Sequence, residues 1–266
     1  MGLRYPRFAA VLLSSAFTFG PVWGAEPTLA SSDVGFFPAT AGAPPAPWRV
    51  VQLDAKVAPT RYRLAVVGGV AAVQAQADAS MALLGRPLDI DLGKTPILCW
   101  RWHVKGVVEA ADMGKKSGDD YAARVYVALR MAPEALGFAT RAKLGIARAV
   151  YGDLVPDAAV NYVWDNRHAV GTRQFNVYTD RAAMVVQKSG NQQAGQWVNE
   201  RANVLEDVRH AFGTGDVTAK LLAVASDTDN TGASARAAFA DLHFVGAEEP
   251  CHFRDSGNGA DREKKP

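Results

Sequence analysis

The stretch YAARVYVALRM, residues 121–131, decides the fold class of this chain. Apolar Val125 and Val127 alternate in it with Arg124 and Tyr126. Successive side chains of a β-strand point to opposite faces, so this spacing predicts a strand with one face in the core and one polar, aromatic face.

Similar short runs fill most of the chain after residue 48. They include ILCWRWHV (97–104), NYVWDNR (161–167) and AKLLAVAS (219–226), each followed by turn residues. This spacing is typical of a β-sandwich or barrel. We therefore predict that residues 48–246 form a mainly β domain. The predicted architecture is a two-sheet antiparallel β-sandwich of the jelly-roll type, with one or two short peripheral α-helices.

A helical period interrupts the strands between residues 133 and 151. Phe138, Ala142, Ile146 and Val150 recur there at every fourth position. Residues spaced by four lie on one side of a helix. The pattern predicts a helix whose apolar stripe packs outside a sheet.

A second helix is predicted between residues 203 and 213. Asn203 suits the N-cap, Glu206 falls at the third helical position, and Gly213 is a typical stop. The predicted buried face consists of Val204, Leu205, Val208 and Phe212.

The first residues predict export. Arg4 and Arg7 precede an uncharged, apolar-rich run, and the small residues Gly24 and Ala25 follow it. This layout indicates a secretory signal peptide over residues 1–24, with a cut after Gly24 or after Ala25. The competing interpretation is a membrane anchor, but the run is short for a span of about 20 residues. We expect a periplasmic or secreted protein without a membrane span in its mature form.

Two flanking segments differ in composition from the predicted domain. Residues 25–47 contain AGAPPAP (41–47) and predict an extended lead-in. Residues 247–266 end in the polar stretch GNGADREKKP (257–266) and predict a flexible tail.

The chain has two cysteines, Cys99 and Cys251. In an oxidising compartment they can form a disulfide that ties the C-terminal end to an interior strand. The alternative is that Cys99 is an ordinary buried thiol. The pattern alone leaves both open.

Charge argues against one class of partner. The formal net charge is +2, and 48% of the residues are hydrophobic. A protein that binds nucleic acid carries a stronger basic footprint, so no nucleic-acid partner is expected. Composition leaves the oligomeric state open.

Six segments in chain order carry a resemblance to a known family. They are PLDIDLGKTPILCWRWHV (87–104), GDDYAARVYV (118–127), NYVWDNR (161–167), NVYTDRAAMVVQKSG (176–190), WVNERANVLEDVRHAFG (197–213) and SDTDNTGASARAAFADLHF (226–244). They resemble the successive motifs of an exported bacterial family, domain of unknown function family 3047. The resemblance covers residues 48–245 and implies no activity and no catalytic residue.

Two details qualify this resemblance. Cys99 stands where the family pattern implies a small polar residue, so any disulfide would be peculiar to this protein. FADLHF (239–244) resembles the last strand of galactose-binding-type jelly rolls, which is a likeness of fold only.

The polar, aromatic faces of three strands are candidates for a ligand surface. If these faces line one concave sheet, they form a platform that suits a sugar or another polar ring. The platform would consist of Arg101, Arg124, Tyr126, Tyr162 and Trp164. The alternative is that the aromatic residues belong to the core and the arginines pair with acids.

Three loops with acids and amides lie at strand ends. GDDY (118–121) precedes a strand, NVYTDR (176–181) places Asn176, Thr179 and Asp180 before another, and SDTDNTG (226–232) follows a third. The ends of adjacent strands can gather such loops at one rim of the sheet. The rim would then hold the candidate ligand-binding residues Asp119, Asp120, Asp227, Asp229 and Asn230.

Three interpretations of these loops stay open: turn chemistry, ligand contact and a metal site. Asp and Asn cap turns through local hydrogen bonds, and they also supply the oxygen ligands that calcium takes. The twelfth position from Asp227 is Ala238 rather than glutamate, which excludes a helix-loop-helix calcium site. We expect no cofactor and assign no metal ligand, with calcium as the ion that these loops would suit.

The predicted function is that of a periplasmic binding or accessory module for a glycan or another polar envelope ligand. Nucleophile-elbow and paired-histidine zinc motifs are missing from the sequence. The alternative is a carboxylate-dependent hydrolase of envelope saccharides. Its acid pair would come from Asp119, Asp120, Asp165 and Glu200. Whether the protein is an enzyme is left open.

Overall fold

The computed structural model describes residues 33–151 and 155–254, so the predicted signal peptide lies outside the described residues. Within these ranges the chain forms thirteen strands and two α-helices. The strands are β1 (Asp33–Gly35), β2 (Arg49–Val51), β3 (Arg61–Val67), β4 (Val70–Asp78), β5 (Leu83–Asp91), β6 (Ile97–Val104), β7 (Tyr121–Met131), β8 (Ala158–Asp165), β9 (Arg173–Asn176), β10 (Thr179–Ser189), β11 (Val198–Asn203), β12 (Val217–Asp227) and β13 (Ser234–Val245). The helices are α1 (Phe138–Tyr151) and α2 (Val204–Phe212). Neither helix combines the length and apolarity that a bilayer crossing requires.

The strands pair into two sheets. The six-stranded sheet has the order β11-β6-β13-β4-β3, with β1 paired to β13, and the seven-stranded sheet has the order β2-β5-β12-β7-β8-β10-β9. Consecutive strands from β4 to β7 and from β10 to β13 cross from one sheet to the other, as in jelly rolls. The predicted two-sheet β-sandwich is confirmed. One pair, β8 with β10, is parallel, so the seven-stranded sheet is mixed rather than antiparallel.

Large aromatic rings from both sheets pack against one another in the core between the sheets. Trp100 of β6 packs on Tyr162 of β8 with ring centroids 5.2 Å apart, and Trp102 packs on Trp164 at 5.6 Å. All four side chains are fully buried. Large aromatic side chains dominate the energetics of such cores. Tyr162 and Trp164 therefore lie in the core, as the alternative interpretation of these strands predicts.

The second predicted helix is confirmed with its caps. The Asn203 side chain accepts a hydrogen bond from the Glu206 backbone N–H at 3.0 Å. Gly213 ends α2 in the left-handed region at φ +70°. Val204 and Val208 are buried beneath the helix, which fixes α2 against the sandwich.

The first predicted helix forms, but its predicted packing face is wrong. Phe138 and Ile146 are 81% and 69% exposed. Among the described side chains of α1, Leu144 touches the core, and Arg148 donates to the backbone oxygen of Val155 at 3.2 Å. These positions lie about half a helical turn from the apolar stripe. Periodicity identified the helix without identifying its neighbour.

Parts of both flanking segments pack on the six-stranded sheet. In the predicted lead-in, β1 pairs with β13, and Phe37 is buried against Trp48 with ring centroids 5.5 Å apart. In the predicted tail, Cys251 forms a disulfide with Cys99, with Cα atoms 5.8 Å apart. Residues 33–37 and 251–254 thus belong to the folded body.

The disulfide is expected to stabilise the fold through the unfolded chain. It links residues 152 positions apart, and a loop of that length contributes about 5 kcal/mol in the chain-entropy model. Replacing both Cys99 and Cys251 by alanine should lower the free energy of unfolding by up to about 5 kcal/mol in denaturant titrations. Wild type measured under reducing conditions is the control and should behave like the double variant. A double variant within about 1 kcal/mol of oxidised wild type would contradict this expectation.

Candidate functional site

A groove runs over the outer face of the seven-stranded sheet. Val125 and Val127 of β7 are buried in the core between the sheets, so the alternating side chains Arg124 and Tyr126 point to the other face. Two cavities of about 500 and 440 Å³ lie there. Both are lined by Leu53, Met81, Arg124 and Tyr126, so they adjoin and form one groove.

The two ends of the groove differ in chemistry. The polar end is lined by Asp119, Asn161, Asn176, Asp227, Asp229 and Asn230. The apolar end is lined by Val51, Leu83, Ala128, Pro156 and Leu221. The site is therefore amphipathic along its length.

Arg124 joins the strands that floor the polar end. One of its guanidinium nitrogens, Nη2, donates to Asp227 Oδ2 at 2.6 Å and lies 4.0 Å from Asp119 Oδ1. The guanidinium also sits over the ring of Tyr121, 4.5 Å from its centroid. The ion pair between Arg124 and Asp227 connects β7 to the end of β12. The sequence-based alternative, in which the arginines pair with acids, holds here.

Asp120 anchors the turn SDTDNTG. Its Oδ1 accepts from the backbone N–H and the side-chain amide of Asn230, both at 3.2 Å. Its Oδ2 accepts from the backbone N–H of Thr231 at 2.7 Å and from the Thr231 hydroxyl at 2.6 Å. Gly232 completes the reversal at φ +68°. The turn interpretation therefore describes Asp120, whose side chain is buried and holds the rim in place.

Asp119 faces the groove, although it is adjacent to Asp120 in sequence. The side-chain amide of Asn176 lies 3.0 Å from both carboxylate oxygens of Asp119. Tyr178 follows on the β9–β10 turn, and its hydroxyl lies 3.2 Å from Asn230 Oδ1. The three loops that carry these residues meet at one rim.

Tyr178 is a site residue that the sequence-based candidates omit. Tyr178 is 56% exposed and lines the groove. The Lys116 ammonium lies over its ring at 5.1 Å from the centroid. In the sequence, Tyr178 is a single aromatic residue in a short polar turn, and no periodic pattern marks it as a site residue.

Carboxylates outnumber cations at the polar end. Burial raises the pKa of Asp227 to about 8, Arg124 opposes the shift, and the charges of Asp120, Asp119 and Asp229 add to it. Burial likewise raises the pKa of Asp229, with Asp120 as the next contributor. One carboxylate oxygen from each of Asp120, Asp227 and Asp229 lies within 4.8 Å of the other two.

The structure separates three of the predicted platform residues from this site. Arg101 lies on the outer face of the six-stranded sheet, where its guanidinium bonds Asp241 at 2.5 Å. Tyr162 and Trp164 are in the core. The prediction of one continuous polar, aromatic face is therefore wrong for Arg101, Tyr162 and Trp164. Alternation shows that each strand has two faces. It does not show which sheet a strand joins or which of its faces points into the core.

Two of the acids considered for an acid pair also lie elsewhere. Asp165 accepts hydrogen bonds from the backbone N–H groups of Arg167 and His168 and so stabilises its own loop. Glu200 of β11 accepts from the indole N–H of Trp102 at 3.0 Å. Neither residue lines the groove.

Comparison with known proteins gives a match to one family and distant matches to solved structures. The family described as "Protein of unknown function (DUF3047)" matches residues 46–243. No curated protein matches the chain. Among solved structures, the chain is similar to one from a comparison of family 12 glycoside hydrolases and of substitutions important for thermal stability. The identity is 10%, the match covers 84% of this chain and 96% of that chain, and the TM-score is 0.36. A similarity this distant carries no information about activity.

Removing the Asp120 carboxylate should loosen the acidic rim. Asp120→Ala leaves the donors of Asn230 and Thr231 without their acceptor, and hydrogen bonds to a charged group are worth about 1.5–3 kcal/mol each. We expect the free energy of unfolding to fall by about 3 kcal/mol or more, measured by urea titration. The matched control is Asp216→Ala, at an exposed acid, and it should change stability by less than about 0.5 kcal/mol. An equal loss in both variants would contradict the anchoring role.

Glu200 should make stability depend on pH. Burial raises the pKa of Glu200 from 4.5 to about 7. A carboxyl group whose pKa is raised on folding stabilises the folded state fully at a pH below its unfolded pKa. That stabilisation is lost as the pH rises through the folded pKa. Between pH 5 and pH 8, the free energy of unfolding of wild type should fall by about 2 to 3 kcal/mol relative to that of Glu200→Gln. Denaturant titrations at both pH values measure this, and parallel curves for the two proteins would contradict it.

Proposed function

The chain belongs to the DUF3047 family of proteins of unknown function, and we propose that it is a binding module whose groove takes an uncharged, hydroxyl-rich ligand such as a saccharide. The observation that carries the proposal is the pair of exposed apolar side chains in the groove, Tyr178 and Leu53. They are 56% and 63% exposed, and both line the polar cavity. Exposed apolar groups beside hydrogen-bonding groups are characteristic of ligand sites.

The mixed lining of the groove fits the chemistry of a sugar ring. A sugar presents C–H groups on its faces and hydroxyl groups at its edge. Tyr126 and Tyr178 offer aromatic surface for the first, and the amide groups of Asn176 and Asn230 offer donors and acceptors for the second. The groove therefore combines stacking with hydrogen bonding.

The charges of the polar end favour an uncharged ligand. Asp119, Asp120, Asp227 and Asp229 gather there around Arg124, the cation that pairs with Asp227. A phosphate or carboxylate on the ligand would be repelled by this excess of negative charge. The proposed ligand class is thus neutral saccharides rather than acidic ones.

The same geometry supports binding over hydrolysis. A general acid must reach hydrogen-bond distance of the leaving oxygen. Asp227 and Asp119 are only 2% and 8% exposed, and Asp227 already binds Arg124. The carboxylate-dependent hydrolase predicted as the alternative would need a more exposed pair than these residues provide.

Export of the protein is part of this proposal. The basic and apolar character of the first residues supports a cleaved signal peptide, and the disulfide between Cys99 and Cys251 suits an oxidising compartment. The proposed ligand would then be met in the periplasm or outside the cell, among envelope saccharides.

The rim tyrosine gives a direct test. Tyr178→Ala should weaken binding of a neutral oligosaccharide, selected from a glycan panel, about fivefold, because a stacking contact is worth about 1 kcal/mol. The matched control is Phe175→Ala, an exposed aromatic residue of β9 that does not line the groove. Calorimetry measures both affinities, and the melting temperature of each variant should stay close to wild type.

Three results would count against the proposed function. Equal losses of affinity in Tyr178→Ala and Phe175→Ala would remove the groove from binding. Tighter binding of acidic than of neutral saccharides would contradict the proposed ligand class. Release of a cleaved product would replace binding by hydrolysis.

A further inference from the structure

Two carboxylate oxygens at the polar end of the groove are buried without a hydrogen-bond donor. They are Asp227 Oδ1 and Asp229 Oδ1, and neither has a partner among residues 33–151 and 155–254. Asp227 is 2% exposed, and both residues line the polar cavity. A buried carboxylate oxygen that lacks a donor is costly. A positive partner at this point would remove that cost.

The nearby cations and amide donors contact other groups. The Arg124 guanidinium bonds the other oxygen of Asp227, Oδ2, at 2.6 Å. The Lys116 ammonium lies over the ring of Tyr178 rather than between the acids. The amide of Asn176 is placed on Asp119. None of these three groups reaches Asp227 Oδ1.

The spacing of the acids matches the reach of one oxygen-bound ion. One oxygen from each of Asp120, Asp227 and Asp229 lies within 4.8 Å of the other two. Calcium binds oxygen at about 2.3–2.6 Å, so two of its ligands are at most about 5 Å apart. We propose that Asp120, Asp227 and Asp229 hold a calcium ion at the polar end of the groove.

Several features favour calcium over other ions. The ligand set consists of oxygen atoms alone, which suits calcium or magnesium rather than zinc. Asp227 and Asp229 come from one turn and Asp120 from the loop before β7, an irregular arrangement that calcium tolerates better than magnesium.

Asp120 is the least available of the three ligands, because both of its oxygens accept hydrogen bonds. Its Oδ1 holds the two longer bonds, at 3.2 Å, and is the oxygen that can turn to an ion. Metal-bound carboxylates are commonly held by hydrogen bonds of this kind. The ion would join the start of β7 to the β12–β13 turn across the contact that Asp120 already makes.

The test uses the purified protein with the metal alone and no saccharide, so that its outcome is independent of the proposed function. Wild type is stripped with a chelator and titrated with calcium chloride, and the melting temperature is followed. We expect a rise of about 5 °C at saturation. Terbium, which replaces calcium, should show luminescence excited through tyrosine, because Tyr121 lies under Arg124 at this site.

Two variants locate the ion. Asp229→Asn keeps the size of the side chain, removes one ligand charge and spares the Arg124–Asp227 pair, so the protein should fold and its calcium affinity should fall at least tenfold. Asp216→Asn changes an exposed acid outside the cluster and should bind like wild type.

Three outcomes would overturn the site. The first is no change in melting temperature up to about 10 mM calcium, well above the range of weak extracellular sites. The second is equal calcium affinity in Asp229→Asn and wild type. The third is an Asp229→Asn protein that is more stable than wild type in chelator while wild type ignores the metal, which would assign a shared proton to the acids.

Discussion

The packing of four large rings between the sheets is the constraint on which the rest of the molecule depends. Trp100 and Trp102 of one sheet meet Tyr162 and Trp164 of the other, and all four are buried in the core that the two sheets share. With that space occupied by apolar side chains, the polar residues of the same strands must lie on the outer faces. The alternation that builds the core therefore also determines where the charged groups stand.

Each outer face then satisfies its charges in its own way. On the seven-stranded sheet, Arg124 pairs with Asp227, and the surrounding acids remain in excess beside an open groove. On the six-stranded sheet, Arg101 pairs with Asp241, and the C-terminal segment covers the pair, since Arg254 also bonds Asp241 at 3.2 Å. The face of the six-stranded sheet keeps a smaller cavity of about 330 Å³ beside its paired charges, whereas the groove combines more space with unbalanced charge. This contrast is why the binding proposals concern the seven-stranded sheet.

Residue patterns anticipated the fold well because strand alternation and helix caps are local. The core positions Val125 and Val127 and the cap of α2 at Asn203 follow from neighbouring residues alone. The packing of α1 could not be predicted, since its apolar stripe gives no information about the element beside it. The disulfide likewise depended on a distance between Cys99 and Cys251 that spacing does not determine.

The candidate site was predictable in part for the same reason. The two acidic loops lie at strand ends, and the structure brings Asp119, Asp120, Asp227 and Asp229 to one rim. The sequence did not show that Asp119 and Asp120 have different roles. The two residues are adjacent, yet Asp119 faces the groove and Asp120 anchors the turn. Only the three-dimensional path of the SDTDNTG turn distinguishes them.

The position of the C-terminal segment also determines how the molecule can be immobilised. The disulfide and the Arg254–Asp241 contact hold residues 251–254 to the outer side of the six-stranded sheet, which is the side of the sandwich away from the groove. A biosensor chip or resin coupled at residue 254 would therefore sit behind the protein. The groove of the protein would then face the solution, where large polymers can reach it.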